Sequence, residues 1–164
     1  MSTNFQYKRF TNWFYGDYNS QVENAIQALG NGGFWGVGIG KSIIKDGFMP
    51  EVHTDFILPI IGEEIGYIGI LILFILYHWL FFYGIKISKN APDVFSSMLS
   101  IGITVNILYY FLINASYVVG ILPTTGLPIP FISYGGSQML FSLFSIGLLM
   151  NISKHSNIYK YKTL

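Results

Sequence analysis

The chain has 164 residues, of which 52% are apolar and only 10% charged, with a formal net charge of +1. A soluble domain carries about 25% charged residues, so this composition excludes an ordinary water-covered globule and makes lipid the expected solvent. The near-zero balance gives no footing for nucleic-acid binding, and the lack of cysteine excludes disulfides and thiolate metal sites.

Residues 1 to 20 are polar and aromatic and carry no signal-peptide pattern. From Gln21 to Leu29, the residues Val22, Ala25, Ile26 and Leu29 share one face, which predicts a short amphipathic helix stopped by Gly30. Gly30, Gly32, Gly33, Gly36, Gly38 and Gly40 then predict a flexible or closely packed loop. Gly40-Lys41-Ser42 imitates the end of a phosphate-binding loop, but Trp35 stands where that motif needs its first glycine.

A first span is predicted from Ile57 to Tyr83, with His78 as the one imidazole inside it. A turn with Lys86, Lys89 and Pro92 follows. No Asp, Glu, Lys or Arg occurs from Val94 to Ser153, and a hydrocarbon core about 30 Å thick needs about 20 apolar residues in a helix. That stretch holds a second span, Phe95 to Val118, and a third, Ser137 to Ile152. Between them lies an uncharged loop, 120–136, with Pro123, Pro128 and Pro130. Proline forbids a continuous helix there, and irregular backbone at membrane depth is tolerated only against protein or a wet cavity. The loop is therefore expected to be ordered, re-entrant and packed beside residues 50 to 64. Lysines cluster in the turn and in the tail (Lys154, Lys160, Lys162) and are absent from the 120–136 loop. The lysine bias places turn and tail in the cytoplasm and the other ends outside. His78 and His155 read as structural or interfacial.

Two acidic groups stand out. Pro50-Glu51-Val52-His53-Thr54-Asp55-Phe56 puts two carboxylates and an imidazole at the outer mouth of the first span. An acid beside low-dielectric surroundings suits general-base work. The competing reading is a solvated helix start with Thr54 or Asp55 as N-cap. Glu63 and Glu64 lie two turns further on. Acids inside a span usually face a partner or a wet cavity; a pair reaching to water near the interface is the other reading.

Taken together, Ala28-Leu29-Gly30-Asn31-Gly32-Gly33, the Glu51-x-His53-Thr54-Asp55-Phe56 motif, Ile61-Gly62-Glu63-Glu64-Ile65-Gly66 and the loop from Leu122 to Gly136 carry a resemblance. In this order they resemble the C-terminal half of the SEDS proteins (shape, elongation, division and sporulation), the FtsW/RodA/SpoVE group. The loop ending Pro130-Phe131-Ile132-Ser133-Tyr134-Gly135-Gly136 is the most specific part. The chain departs from the family pattern at Tyr110 and Asn24, where glutamine is usual.

The resemblance implies an all-α polytopic membrane protein, the C-terminal part of a ten-span fold, with about seven spans before Met1. Residues 1–56 would form an extracytoplasmic glycine-rich region with short amphipathic helices. Residues 57–153 would hold three spans and the re-entrant loop, and 154–164 a cytoplasmic tail. It implies a peptidoglycan glycosyltransferase of the bacterial cytoplasmic membrane, polymerising lipid II on the outer side during cell division or elongation. Gly62 before Glu63-Glu64 leans toward the division type. The implied partners are a class B penicillin-binding protein and other divisome or elongasome membrane proteins. The family's catalytic acid falls on Asp55. Supporting or substrate-binding roles are expected for Glu51, His53, Thr54, Glu63, Glu64, Pro130, Ser133, Gly135 and Gly136. A divalent cation such as Mg²⁺ could neutralise the leaving pyrophosphate, although no cation site can be read from the residues. Broken helices and intramembrane acids also suit a lipid II flippase, and an inactive interaction module is the third class.

Overall fold

A computed structural model describes residues 7, 10, 11, 13–15, 20–42 and 54–162, the side chains of 20 and of 157–162 excepted. The described regular structure is all helical: α1 (Ser20–Gly32), α2 (Ile57–Ile65), α3 (Tyr67–Lys89), α4 (Val94–Val118) and α5 (Gly136–Lys162). Helix α3, helix α4 and residues Gly136–Ser156 of α5 are each long and apolar enough to cross a membrane, with mean hydropathies of 2.1, 1.6 and 1.3. Only 17 to 22% of each is buried within the chain. Their outward surfaces are apolar, so the protein is an integral membrane protein with three spans among the described residues.

Helix α1 buries only part of the predicted face: Val22 and Ala25 are buried and Leu29 is half-buried, but Ile26 is exposed and Ala28 is buried in its stead. Val22, Ala25 and Ala28 pack with Phe56, Ile60, Tyr117 and Val118. The helix does not stop at Gly30, as the sequence pattern predicts, but runs to Gly32. The reason is packing: a Cβ on Gly32 would overlap the Gly62 carbonyl oxygen of α2. The glycine at 32 serves a helix crossing, and Gly33, at φ 52°, makes the actual turn.

The expected first span from Ile57 to Tyr83 is in fact two helices. They break at Gly66, whose φ of 80° and ψ of −170° lie in a region open essentially to glycine alone. Here the glycine-rich segment inserts its backbone. The Tyr67 N–H donates to the Gly33 carbonyl at 2.9 Å, and a Cβ on Gly66 would overlap Gly36 N and Phe34 O. Gly66→Ala should therefore cost at least the 1–3 kcal/mol of such backbone strain. Gly30→Ala, which meets nothing within 4 Å, should be neutral or slightly stabilising. Thermal unfolding in detergent would separate the two.

Helices α3 and α4 form an antiparallel pair. Gly84 lets Thr104 approach its backbone closely, and the rings of Tyr77 and Phe111 stack at 4.1 Å. The turn between them is shorter than the lysines imply, because Lys86 and Lys89 lie in the last turn of α3, where cations suit the helix dipole. Asp93 caps α4. The Ser96 amide and hydroxyl donate to its carboxylate at 2.8 Å each and hold that carboxyl below its usual range. At the far end, the expected tail is not separate: α5 continues as helix to Lys162.

Candidate active site

The loop between α4 and α5 enters the helical layer. Ile129 is fully buried in a cluster with Leu58, Tyr77, Ile107 and Phe111. The Tyr77 hydroxyl donates to the Pro130 carbonyl. Tyr77 stands ten residues into α3, about 15 Å along its axis, so the loop packs against the α3–α4 pair well past the start of α3. The Ser133 hydroxyl accepts the Ile129 N–H at 2.8 Å and closes a tight turn that includes Phe131 at φ 69°. Ser133 and Pro130 thus hold the loop's shape. Gly135 and Gly136 sit at the start of α5, with no steric demand for glycine.

Asp55 lies where the preceding segment enters α2. The N-cap position is Phe56, and no side chain caps the helix. The reading of Thr54 or Asp55 as N-cap is thereby overturned, and the Asp55 carboxylate is not spent on helix termination. Thr54 instead donates its hydroxyl to Asp55 Oδ1 at 2.8 Å. The main chain of Asp55 is held from below. The Asn114 amide donates to the Asp55 carbonyl at 2.8 Å, to the Leu127 carbonyl at 2.7 Å and to the Tyr117 hydroxyl at 2.6 Å. Tyr117 donates in turn to the Asp55 carbonyl at 2.8 Å and toward Leu127 at 3.2 Å. Asn114 and Tyr117 are fully buried. This polar knot ties the start of α2, the end of α4 and the α4–α5 loop together. It also brings Gly126 over the carboxylate: a Cβ there would lie 3.6 Å from Asp55 Oδ2.

Beside this point runs an open groove of about 440 Å³, lined by Ile57, residues 132–136 and Met139. Its wall is mostly apolar, and Asp55 precedes its Ile57 by two residues in the chain.

Glu63 and Glu64 belong to a different cluster. Asp55 precedes α2, whereas Glu63 stands six residues after its first residue, Ile57, about 9 Å along the helix axis. Glu63 is fully buried, and its Oε2 accepts the Ser42 hydroxyl. The Val37 and Gly38 amides donate to the carbonyls of Glu63 and Glu64 at 2.9 and 3.0 Å. Glu63 therefore binds the glycine-rich segment to the α2–α3 break instead of facing water. Ser42, the last residue of the false phosphate-loop motif, is its partner. Glu51 and His53 lie outside the described residues. Among those described, no group of three His, Asp or Glu side chains could hold a metal.

Residues 1–158 match the model of the FtsW/RodA/SpoVE family, described as cell cycle protein. Stage V sporulation protein E of Bacillus subtilis is 40% identical over 83% of this chain and 37% of its own length. A probable peptidoglycan glycosyltransferase FtsW of Trichlorobacter lovleyi is 43% identical, over 81% of this chain and 35% of its length. The FtsW homologue of Pasteurella multocida is 36% identical over 98% of this chain and 42% of its length. The chain thus spans well under half the length of these relatives. A solved chain from a study of polymerization and crosslinking by a peptidoglycan synthase complex shares the fold, with a TM-score of 0.71 at 22% identity, over 93% of this chain and 42% of that one. The family match along nearly the whole length, the order of the motifs and the shared fold lead to one conclusion: the chain belongs to the FtsW/RodA/SpoVE family of cell cycle proteins.

Proposed function

We propose that this chain forms the catalytic side of a peptidoglycan glycosyltransferase, with Asp55 as general base. The observation that carries the reading is a carboxylate left out of helix capping, fixed through its own main chain and lying under Gly126, two residues before Ile57 of an apolar groove. Relatives named as peptidoglycan glycosyltransferases point the same way.

In this reading a lipid II molecule lies with its prenyl chain along the spans and its sugar at the groove. Asp55 accepts the proton of the acceptor sugar hydroxyl as the oxygen attacks the anomeric carbon of a second lipid II. The bond to undecaprenyl pyrophosphate breaks, and the pyrophosphate leaves with the electron pair. Fixing the Asp55 carbonyl on Asn114 and Tyr117 limits where the carboxylate can swing, which favours a near-attack geometry. A class B penicillin-binding protein would cross-link the product.

The site belongs on the outer side of the bacterial cytoplasmic membrane in this proposal. Reporter fusions after Lys89 and Leu164 should read cytoplasmic, and one at Thr125 external. An external Leu164 would reverse the orientation. For the activity, a full-length family protein carrying this chain is given labelled lipid II. Glycan ladders support polymerisation; lipid II movement across vesicles without ladders would instead favour a flippase.

A further inference from the structure

The glycine-rich segment has a surface that the proposed chemistry does not use. Phe34, Trp35, Ile39 and Tyr67 are exposed large apolar side chains, Trp35 at 78% and Ile39 at 82%. The three aromatic rings form one patch: Phe34 meets Trp35 edge-on at 5.4 Å and stacks on Tyr67 at 6.2 Å, and Ile39 follows on the same segment. No charged residue occurs from Gly30 to Gly40, and exposed Lys41 stands at the margin.

Its position along the membrane normal is fixed by α3. Tyr67 is the first residue of that span, and the Tyr67 and Ile68 N–H groups donate to the Gly33 and Phe34 carbonyls. The patch therefore lies level with the first turn of a membrane-crossing helix. It also runs on into the outward face of α3, where Leu71, Ile75 and Trp79 are exposed along one ridge. Irregular backbone enters a bilayer only when its polar groups are already paired. Here the amides of Gly36, Val37 and Gly38 all donate to protein carbonyls, at 2.7 to 3.0 Å. Aromatic rings and a marginal lysine are what the lipid headgroup zone favours.

We propose that residues 34–39 form a membrane-interface anchor that seats in the leaflet where α3 begins. Its occupant is the lipid surface itself. Because the same segment is bonded to the carbonyls of Glu63 and Glu64, the anchor would set the depth of α2 in the membrane.

The chain lacks cysteine, so Ile39→Cys and Trp35→Cys each accept one nitroxide label. The full chain is reconstituted in phosphatidylcholine–phosphatidylglycerol vesicles. Collision with oxygen, which partitions into lipid, is compared with collision with a water-soluble nickel chelate. Labels at Ile75 and Asn90 calibrate the bilayer and water limits. Both patch labels should favour oxygen, with values between the two limits, at every protein-to-lipid ratio. Two label sites guard against one substitution disturbing insertion. Nickel-dominated collisions would place the patch in water and overturn the anchor. So would shielding from both reagents, which means cover by protein, or oxygen preference only at high protein density, which means cover by a second copy.

Discussion

Asn114→Leu should lower glycan polymerisation about tenfold or more while leaving the apparent affinity for lipid II largely unchanged. The amide is fully buried and supplies both hydrogens of its NH2 group to a knot shared by Asp55, Leu127 and Tyr117. Leucine has similar bulk but no donor, so the Asp55 and Leu127 carbonyls are left with the single proton of the Tyr117 hydroxyl between them, and one goes unmet. Each unmet buried polar group costs about 1–3 kcal/mol, and about 1.4 kcal/mol is tenfold in rate where it falls on the transition state. The groove beside Ile57 and Met139 does not include Asn114, so the loss should fall on kcat and spare KM. Tyr117→Phe removes one hydroxyl from the same knot and should cost less. Because both side chains donate to the same two carbonyls, each single variant leaves the other donor in place, and the double variant should be more impaired than the product of the single effects. Effects that multiply independently would mean the knot does not act as one unit.

The spans were legible in the sequence because lipid leaves one strong mark, the absence of charge over helical lengths. The ends of the helices were not, for the same reason. Charge marks the membrane boundary and not the helix boundary: lysine itself is a good helix former, and α5 passes through Lys154 to Lys162 unbroken. The break at Gly66 was equally hidden. A single glycine in an apolar run is tolerated in a helix, and only the backbone of residues 33–36, arriving from far away in sequence, forces the positive φ. Gly30 and Gly32 were indistinguishable as stops until the crossing with Gly62 separated them.

Legibility of the site was uneven in a similar way. Asp55 could be read from its place at the start of an apolar run, and the packed α4–α5 loop from its prolines and lack of charge. Tyr117 was missed because tyrosine near a span end reads first as an interfacial anchor. Asn114 carried a usable signal, a primary amide in an otherwise apolar stretch, since buried polar groups are almost always bonded. Glu63 was correctly marked as needing a partner. That partner, Ser42, could not be named, because 21 residues and a glycine-rich segment lie between them.

Asp55→Asn tests the central claim more directly than any other change, because the knot grips the main chain of residue 55 and not its carboxylate. Asparagine keeps that carbonyl, keeps nearly the same volume, and retains an Oδ1 that can accept from the Thr54 hydroxyl. Insertion and stability should therefore match the parent, while the group that takes the proton is gone. General-base catalysis is worth roughly 10²–10⁴ in rate. Glu63→Gln, near the far end of α2, should act through the packing of the glycine-rich segment and cost less. The decisive measurement is the initial rate of lipid II polymerisation by a full-length protein carrying this chain, parent against Asp55→Asn, at matched amounts of folded protein. The account predicts a fall of roughly 10²-fold or more; ladders formed by Asp55→Asn at the parental rate would contradict it.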